Sequence, residues 1–179
     1  MSDKTKIDEH KYKEFSTRTN QLISLTVLIL TICATFSSLY AGANSRKGIL
    51  AQNQATDLWA FYQAKSIKQT LYENRIEMLK ISPPADTELA AKLAAEYTAE
   101  IERYDVEQQA IKADALAKGV ERDNCLSLNR GFASALTFLQ ISILLTSLAT
   151  LMKRLFFRYA GIALGALGIV IFLKTMLVA

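Results

Sequence analysis

Residues 132–152 read FASALTFLQISILLTSLATLM and carry no charged side chain. Two further segments share this property, residues 21–41 (QLISLTVLILTICATFSSLYA) and residues 159–173 (YAGIALGALGIVIFL). Each segment, the last one extended to the C-terminus, approaches the ~20 apolar residues that a helix needs to cross a bilayer. The sequence therefore predicts three transmembrane helices, at 21–43, 132–152 and 159–179.

The first apolar segment has an alternative interpretation as a secretory signal, because residues 41–43 (AGA) resemble a small-residue cleavage site. Residues 21–41 are longer than the ~7–15 residues of a signal core, and a long segment of mixed charge precedes them. We therefore expect an uncleaved anchor.

The distribution of basic residues predicts the orientation of the chain. The N-terminal tail, residues 1–20, carries five bases: Lys4, Lys6, Lys11, Lys13 and Arg18. The short loop predicted at 153–158 carries three bases and no acid: Lys153, Arg154 and Arg158. Because Lys and Arg beside a span hold a segment in the cytoplasm, both segments are predicted to be cytoplasmic, with residues 44–131 on the other side of the membrane.

Residues 44–131 are predicted to form a long extracytoplasmic, antiparallel helical hairpin, similar to a coiled coil. They contain one adjacent proline pair, Pro83 and Pro84, between segments rich in strong helix formers. Proline ends a helix or opens the next one, so the turn is predicted at 82–87. Candidate N-caps for the second arm are Ser82, Asp86 and Thr87. The fold class is thus all-α.

Each arm shows an apolar stripe at alternating steps of four and three. On the first arm the stripe contains Ala60, Ala64, Ile67, Leu71, Asn74, Met78 and Ile81. On the second it contains Leu89, Leu93, Tyr97, Ile101, Tyr104, Gln108, Ile111 and Ala115. This spacing places each stripe on one helix face, and the two stripes are predicted to face each other. The arms also differ in charge, +3 for 44–81 and −4 for 87–123, which favours pairing.

The first arm contains the only tryptophan of the chain, within WAFYQAKSIK, residues 59–68. Trp59 and Tyr62 share a helix face, so they either fill the seam between the arms or form a contact patch for another chain. Lys65 and Lys68 are interpreted as solvated bases opposite the acidic second arm. An extracytoplasmic location argues against a nucleic-acid partner for these aromatic and basic residues.

The sequence contains no recognisable pattern of catalytic residues, and we therefore expect that the protein is not an enzyme. The single histidine, His10, cannot form a His-based triad or a multi-His metal site from one copy of the chain. Glycine-rich phosphate loops are absent. The acidic residues between 96 and 107 are interpreted as a solvated charged face of a long helix. We therefore expect no catalytic residue, no cofactor and no metal.

Two features of the predicted spans favour helix packing. Gly161, Gly165 and Gly168 put a glycine groove on one face of the third span, where a second helix can approach closely. That helix is either the second span of the same chain or a helix of a neighbouring subunit. Gln140 is the only strongly polar side chain in mid-span, and it is expected to bond to backbone or to a neighbouring helix.

Four features follow one another along the chain: an N-terminal span, DLWAFYQAKSIKQTLYE at 57–73, GFASALTFLQISILLTSLATLMKR at 131–154, and a glycine-rich last span. In this combination the chain resembles the DUF4337 family of bacterial membrane proteins. The likeness is most specific at 59–68, and it implies a specific contact made there by Trp59, Phe61, Tyr62, Gln63 and Lys65. It also implies a bacterial cytoplasmic (inner) membrane protein with a periplasmic hairpin. The resemblance supplies no activity, substrate or cofactor.

Three functions are compatible with these expectations. The first is a non-enzymatic, membrane-anchored helical scaffold that self-associates and presents a helical stalk to a cell-envelope partner. The second is a small accessory subunit of a larger respiratory or transport complex. The third is an oligomeric channel, for which Gln140 and nearby hydroxyl side chains would line a central axis. The expected partners are the lipid bilayer and either further copies of this chain or foreign subunits.

Overall fold

The protein is all-α in the computed structural model, which describes the backbone of residues 2–152 and 155–179 and the side chains of 21–149, 151–152 and 156–179. Helix α1 spans Ser2–Ile81, α2 spans Thr87–Met152, and α3 spans Leu155–Val178. No strand occurs within these described ranges. The basic side chains of the N-terminal tail, His10, and residues 153–154 fall outside the described part.

Within the part of the chain that the structure describes, three helical segments are long and apolar enough to cross a membrane. They are Gln21–Ile81, Thr87–Ala149 and Phe156–Val178. Each contains one of the three charge-free segments, so the sequence and the structure agree on which parts of the chain could span a bilayer. Helix α1 continues without interruption through residues 42–48, which include Gly42 of the predicted first span and Gly48 of the first arm.

Helix α3 begins at Leu155, inside the segment 153–158 that the sequence predicts as a loop. The reason is local, because LFFR at 155–158 contains neither glycine nor proline and nothing there ends a helix. Arg158 accordingly lies in the first turn of α3 and is half-buried.

The chain divides into two compact units. One consists of Met1–Ser45 and Leu126–Ala179, and we call it the apolar unit. The other consists of Arg46–Cys125, and we call it the arm unit. Helices α1 and α2 contribute to both units, whereas α3 belongs to the apolar unit alone.

The core of the apolar unit is built from small and medium side chains. Leu30 and Ala34 of α1 pack with Leu139 of α2. Phe132 is fully buried, with ring centroids 5.3 Å from Tyr40 and 5.8 Å from Phe172 of α3. These contacts join all three helices around one buried ring.

Two polar side chains cross-link α1 and α2 in the apolar unit. The buried Ser37 hydroxyl donates to the carbonyl of Phe132 at 2.9 Å. The Asn129 amide donates to the carbonyl of Ala41 at 2.8 Å. Both acceptors are helix carbonyls that already serve the helix, so these bonds add interhelical links without leaving an orphan donor.

The arm unit turns at residues 82–86, between the end of α1 and the start of α2. The amide of Ser82 still donates to the carbonyl of Met78, at 2.9 Å. Asp86 is the N-cap of α2, since its Oδ1 accepts from the amides of Glu88 at 2.9 Å and Leu89 at 3.2 Å. Of the three candidate caps, the aspartate therefore fills the role, as the capping preference for a short acidic side chain favours.

Contacts between the arms run in antiparallel order. Arg122 donates to Gln52 at 2.6 Å, Lys65 pairs with Glu107, and the rings of Tyr72 and Tyr97 lie 5.6 Å apart. As positions on α1 rise, their partners on α2 fall.

The predicted stripe of the second arm faces α1 from Leu93 to Ala115, where every member is buried or half-buried. Only Leu89, in the first turn of α2, is exposed. This stripe is confirmed over most of its length, because the sequence offers a single strongly apolar face there.

The predicted stripe of the first arm is wrong. All seven of its members, from Ala60 to Ile81, are exposed. The residues that face α2 instead are Ala51, Ala55, Leu58, Tyr62, Lys65, Gln69, Tyr72, Ile76 and Leu79. This seam has the same spacing as the predicted stripe but is displaced by two residues, about 200° around the helix. Helix α1 thus has two stripes on opposite faces, and the one with more polar members packs.

Candidate self-association surfaces

Trp59 and Tyr62 contact each other edge to face, with ring centroids 5.6 Å apart. Tyr62 belongs to the seam and is half-buried, whereas Trp59 is 36% exposed at its flank. The pair therefore connects the interior of the arm unit to its surface. Tyr62 fills the seam, and a contact of Trp59 with another chain stays a prediction.

Lys65 lies in the seam and is not the solvated base that the sequence suggested. Its side chain is only 18% exposed, and its ammonium stands 5.2 Å from the ring centroids of both Phe61 and Tyr104. The same ammonium is 2.5 Å from Oε2 of Glu107, an oxygen that is shut off from solvent. The apolar stem of Lys65 packs in the seam. Its ammonium group is stabilised by cation–π contacts with the two rings and by the opposite charge of the carboxylate.

Glu107 is accordingly poised to stay ionised. The hydrogen bond from Lys65 lowers the pKa of its carboxyl group below the ordinary value, and the charges of Lys65, Arg103 and Lys68 act in the same direction against partial desolvation. Arg103, one turn away, also reaches Oε1 of Glu107 at 3.7 Å. The carboxylate therefore bridges the seam and the surface of α2.

A second polar contact in the seam joins Gln69 to the buried Gln108, whose amide donates to it. The sequence identified Gln108 as a stripe member but placed Asn74, not Gln69, opposite the second arm. Each amide has both a hydrogen-bond donor and an acceptor. The two side chains can bond to each other only when the two helices are in this register.

The face of α1 opposite the seam forms what we call the outer stripe: Ala60, Ala64, Ile67, Leu71, Asn74, Met78 and Ile81. Its large members are open, with Ile67 71%, Met78 69% and Ile81 84% exposed. Phe61, which follows Ala60, and Gln63, which precedes Ala64, are exposed as well. Of the five residues predicted to make a specific contact, Tyr62 and Lys65 thus face α2 of the same chain, while Trp59, Phe61 and Gln63 face outward.

A groove of about 460 Å³ opens beside the turn of the arm unit. Its lining consists of Arg75, Met78, Leu79, Ile81, Ser82 and Tyr97. The Arg75 guanidinium lies 5.3 Å from the ring centroid of Tyr72 and 5.7 Å from that of Tyr97. No pattern in the sequence singled out this groove, because its residues come together only through the pairing of the arms.

The glycine face of α3 packs against α2 of the same chain. A Cβ on Gly161 would stand 2.5 Å from the hydroxyl of Thr146, and one on Gly168 would stand 2.9 Å from Cγ of Leu139. A Cβ on Gly165 would lie 2.6 Å from the hydroxyl of Ser142. Of the two helices that the sequence allowed for this groove, the second span of the same chain occupies it, and a role of these glycines between subunits stays a prediction.

The buried Ser142 hydroxyl donates to the carbonyl of Gly161 at 2.6 Å, a bond that requires the close approach of α2 and α3. Small residues at such crossings allow backbones to meet and hydroxyls to bridge them. In the described part of the chain, no three His, Cys, Asp or Glu side chains are grouped to hold a metal ion. Both cysteines, Cys33 and Cys125, are free thiols.

A family model described as "Domain of unknown function (DUF4337)" matches residues 19–178, nearly the whole chain. No curated protein and no solved structure matches this chain.

Proposed function

Because the chain belongs to the DUF4337 family, whose function is unknown, we propose from its own geometry that it is a non-enzymatic, membrane-anchored helical scaffold that self-associates. In this proposal the arm unit is the part presented to a partner in the cell envelope. The observation that carries the proposal is the outer stripe, a row of mostly apolar side chains on α1 that has coiled-coil spacing and is exposed in the single chain.

The outer stripe resembles an association surface more than a solvated one. Apolar side chains at alternating steps of three and four form the knobs of a helix pair, and exposed contiguous apolar surface marks interaction sites. Each α1 arm therefore offers two seams. Its own α2 occupies one of them, and a second copy of the chain is proposed to occupy the other.

The energy available from the stripe sets the scale of this association. Burying Ile67, Leu71, Met78 and Ile81 completely would contribute about 6–12 kcal/mol, at about 1.5–3 kcal/mol each. Association in solution costs an estimated 4–15 kcal/mol in lost freedom of motion. The free energy gained by burying the stripe is thus comparable to the cost of association. Anchoring in a membrane favours the assembly because it already confines the copies to a plane.

The proposed location is the bacterial cytoplasmic membrane, with the N-terminus in the cytoplasm and the arm unit in the periplasm. Support comes from three helices able to span a bilayer and from the bases at 1–20 and 153–158, which favour a cytoplasmic location for both segments.

A second candidate function is that of an accessory subunit in a larger membrane complex. It is favoured by the groove beside the turn, where Arg75 and Tyr97 adjoin the exposed Met78 and Ile81. A guanidinium, an aromatic ring and apolar side chains together are the composition of protein contact sites. Purification of a single copy among foreign chains would favour this candidate over the scaffold.

The scaffold is tested by the double variant Ile67→Gln and Leu71→Gln in the full chain. Thr70→Gln, an exposed neighbour between the two positions, is the matched control. Light scattering coupled to gel filtration in mild detergent is expected to show a smaller assembly for the double variant and an unchanged one for the control. Helix content should be the same in all three proteins. An assembly of wild-type size in the double variant would refute self-association through the outer stripe.

A further inference from the structure

The apolar unit contains an open groove between α1 and α2, about 380 Å³ in volume. Its lining residues are Thr31, Ala34, Thr35, Ser38, Leu39, Leu136, Gln140 and Ile143. Four of these side chains are polar, although the groove lies within charge-free segments of both helices. We call it the amide groove, after Gln140.

Most of the hydroxyls in the amide groove are already satisfied. Thr31 donates to the carbonyl of Val27 at 2.8 Å, and Thr35 donates to the carbonyl of Thr31 at 2.9 Å. Ser38 and Gln140 are exposed, and neither finds a hydrogen-bond partner among the side chains and backbone that the structure describes. The unpaired donors and acceptors of the groove therefore belong to these two residues. Most of them belong to Gln140, whose amide has both an NH₂ group and a carbonyl oxygen.

Gln140 stands near the middle of the charge-free segment 132–152, and Thr31 and Thr35 stand near the middle of 21–41. When these segments cross a bilayer, Gln140 lies at the depth of the hydrocarbon core, where no water can bond to it. An unpaired amide there is costly, so the side chain needs a partner from another helix.

We propose that the amide groove is the contact between copies of this chain within the membrane, with Gln140 side chains of neighbouring copies hydrogen-bonded to each other. An amide is self-complementary, since its NH₂ donates and its carbonyl oxygen accepts. All copies that insert in one orientation carry Gln140 at one depth, so their amides meet around the axis that relates the copies. The inference rests on the proposed self-association.

The composition of the groove favours a dry helix contact over a water-filled path. The Thr31 and Thr35 hydroxyls donate to carbonyls of their own helix, and apart from Ser38 and Gln140 the remaining lining is apolar. A pore lined for solute would offer a continuous row of free donors and acceptors. One amide per copy, next to small side chains such as Ala34, suits a close crossing of helices joined by a single hydrogen bond.

The test measures association of the full chain in lipid vesicles by energy transfer between labelled copies. We expect Gln140→Leu to raise the dissociation constant roughly 3- to 20-fold, the range of one interhelical hydrogen bond in a membrane. Gln140→Asn, which retains an amide, should restore part of the affinity. Val170→Ala, on an exposed face of α3 that does not line the groove, is the matched control and should leave the constant unchanged.

A disulfide cross-link gives an independent readout of the contact. Thr137→Cys, one turn from Gln140 and exposed, is placed in a Cys33→Ser, Cys125→Ser background so that it is the only thiol. Oxidation in native membranes is expected to give a homodimer band, which Gln140→Leu should weaken.

Three results would overturn the inference. An unchanged dissociation constant for Gln140→Leu, with assembly still lost in the Ile67→Gln, Leu71→Gln variant, would remove the amide contact and leave the scaffold intact. Cross-linking of Thr137→Cys to a foreign chain would assign the groove to a different partner. A wild-type chain that stays monomeric in vesicles would refute both the amide contact and the proposed function.

Discussion

Lys65 occupies a position in a helix seam that apolar residues normally fill. Its stem contributes packing, and its ammonium is surrounded by the rings of Phe61 and Tyr104 and by the Glu107 carboxylate. The Glu107 side chain is 36% exposed, but its Oε2 is shut off from solvent, so removing Lys65 leaves that oxygen without its partner. We expect the pair to contribute more to the choice of register than to the total stability.

This pairing predicts a non-additive pair of substitutions. Lys65→Met keeps the stem and removes the charge, leaving an enclosed oxygen of Glu107 without its partner, so the melting temperature should fall. Adding Glu107→Gln, which removes the remaining charge, should recover part of that loss. Fluorescence of Trp59, the only tryptophan and a neighbour of Tyr62 in the arm unit, reports the transition.

The same variants carry a pH signature. Because the pKa of Glu107 is lower in the folded protein than in the unfolded chain, its contribution to stability is present above the ordinary carboxyl pKa and is lost as pH falls through the lowered one. The wild-type melting temperature should therefore drop more steeply in acid than that of the Lys65→Met, Glu107→Gln variant. Parallel pH profiles, or additive single effects, would contradict the role of the pair.

Helix α1 has two stripes with equal spacing and opposite faces, which is why its packing face could not be predicted from the sequence. A count of apolar residues favours the outer stripe, which contains Ile67, Leu71 and Met78. The seam is chosen instead by features that appear only when two helices meet: the Gln69–Gln108 bond, the enclosed Lys65, and the tilted ring contacts of Tyr72 with Tyr97 and Tyr104. Periodicity gives the spacing of a stripe, and pairing decides which stripe is buried.

Where a single apolar face exists, the sequence was sufficient. The second arm from Leu93 to Ala115, the end of α1 before Pro83, and the glycine face of α3 follow from helix propensity and spacing alone. The groove beside the turn and the amide groove did not follow from these rules, because each gathers residues from both helices. Gln140 was recognisable in the sequence as a lone polar residue, but its exposure was not.

The glycine contact between α3 and α2 makes a prediction for Gly161→Val. Its Cβ would meet the Thr146 hydroxyl at 2.5 Å and the Ser142 carbonyl oxygen at 3.2 Å, so α3 must shift away from α2. Overpacking of this kind costs roughly 1–3 kcal/mol. Ile169 of α3 and Cys33 of α1 both pack against the core of Leu30, Ala34 and Leu139, so a shifted α3 should expose that thiol.

The measurement is the rate of maleimide labelling of Cys33 in mild detergent, in a Cys125→Ser background. Gly161→Val should raise the rate, and Ala163→Val, at an exposed position of the same helix, should leave it unchanged. Equal labelling of the two variants would show that the contact at Gly161 does not hold α3 in place.

At the scale of the whole molecule, the chain combines two units of different chemistry. The apolar unit joins three helices around a buried phenylalanine, with glycine and serine at the crossings. The arm unit is a helix pair held by aromatic, amide and charged contacts, which suits an aqueous setting. This contrast fits the proposal that the apolar unit anchors the protein in a membrane and that the arm unit lies in water.

The proposed orientation predicts which residues are accessible from outside the cell. A cysteine at Pro83, in a Cys33→Ser, Cys125→Ser background, should react with a membrane-impermeant maleimide in intact cells. The exposed Pro83 lies in the turn between α1 and α2, where substitution disturbs no helix interior. A cysteine replacing Arg158, at the start of α3, should react only after the membrane is opened. The reverse pattern would place the arm unit in the cytoplasm.

The proposed function requires that copies of this chain associate with each other. Native mass spectrometry of the protein, released gently from its own membrane, tests it most directly. We expect a multiple of the 19.9 kDa chain with no other polypeptide bound. A single copy, alone or held among foreign chains, would contradict it.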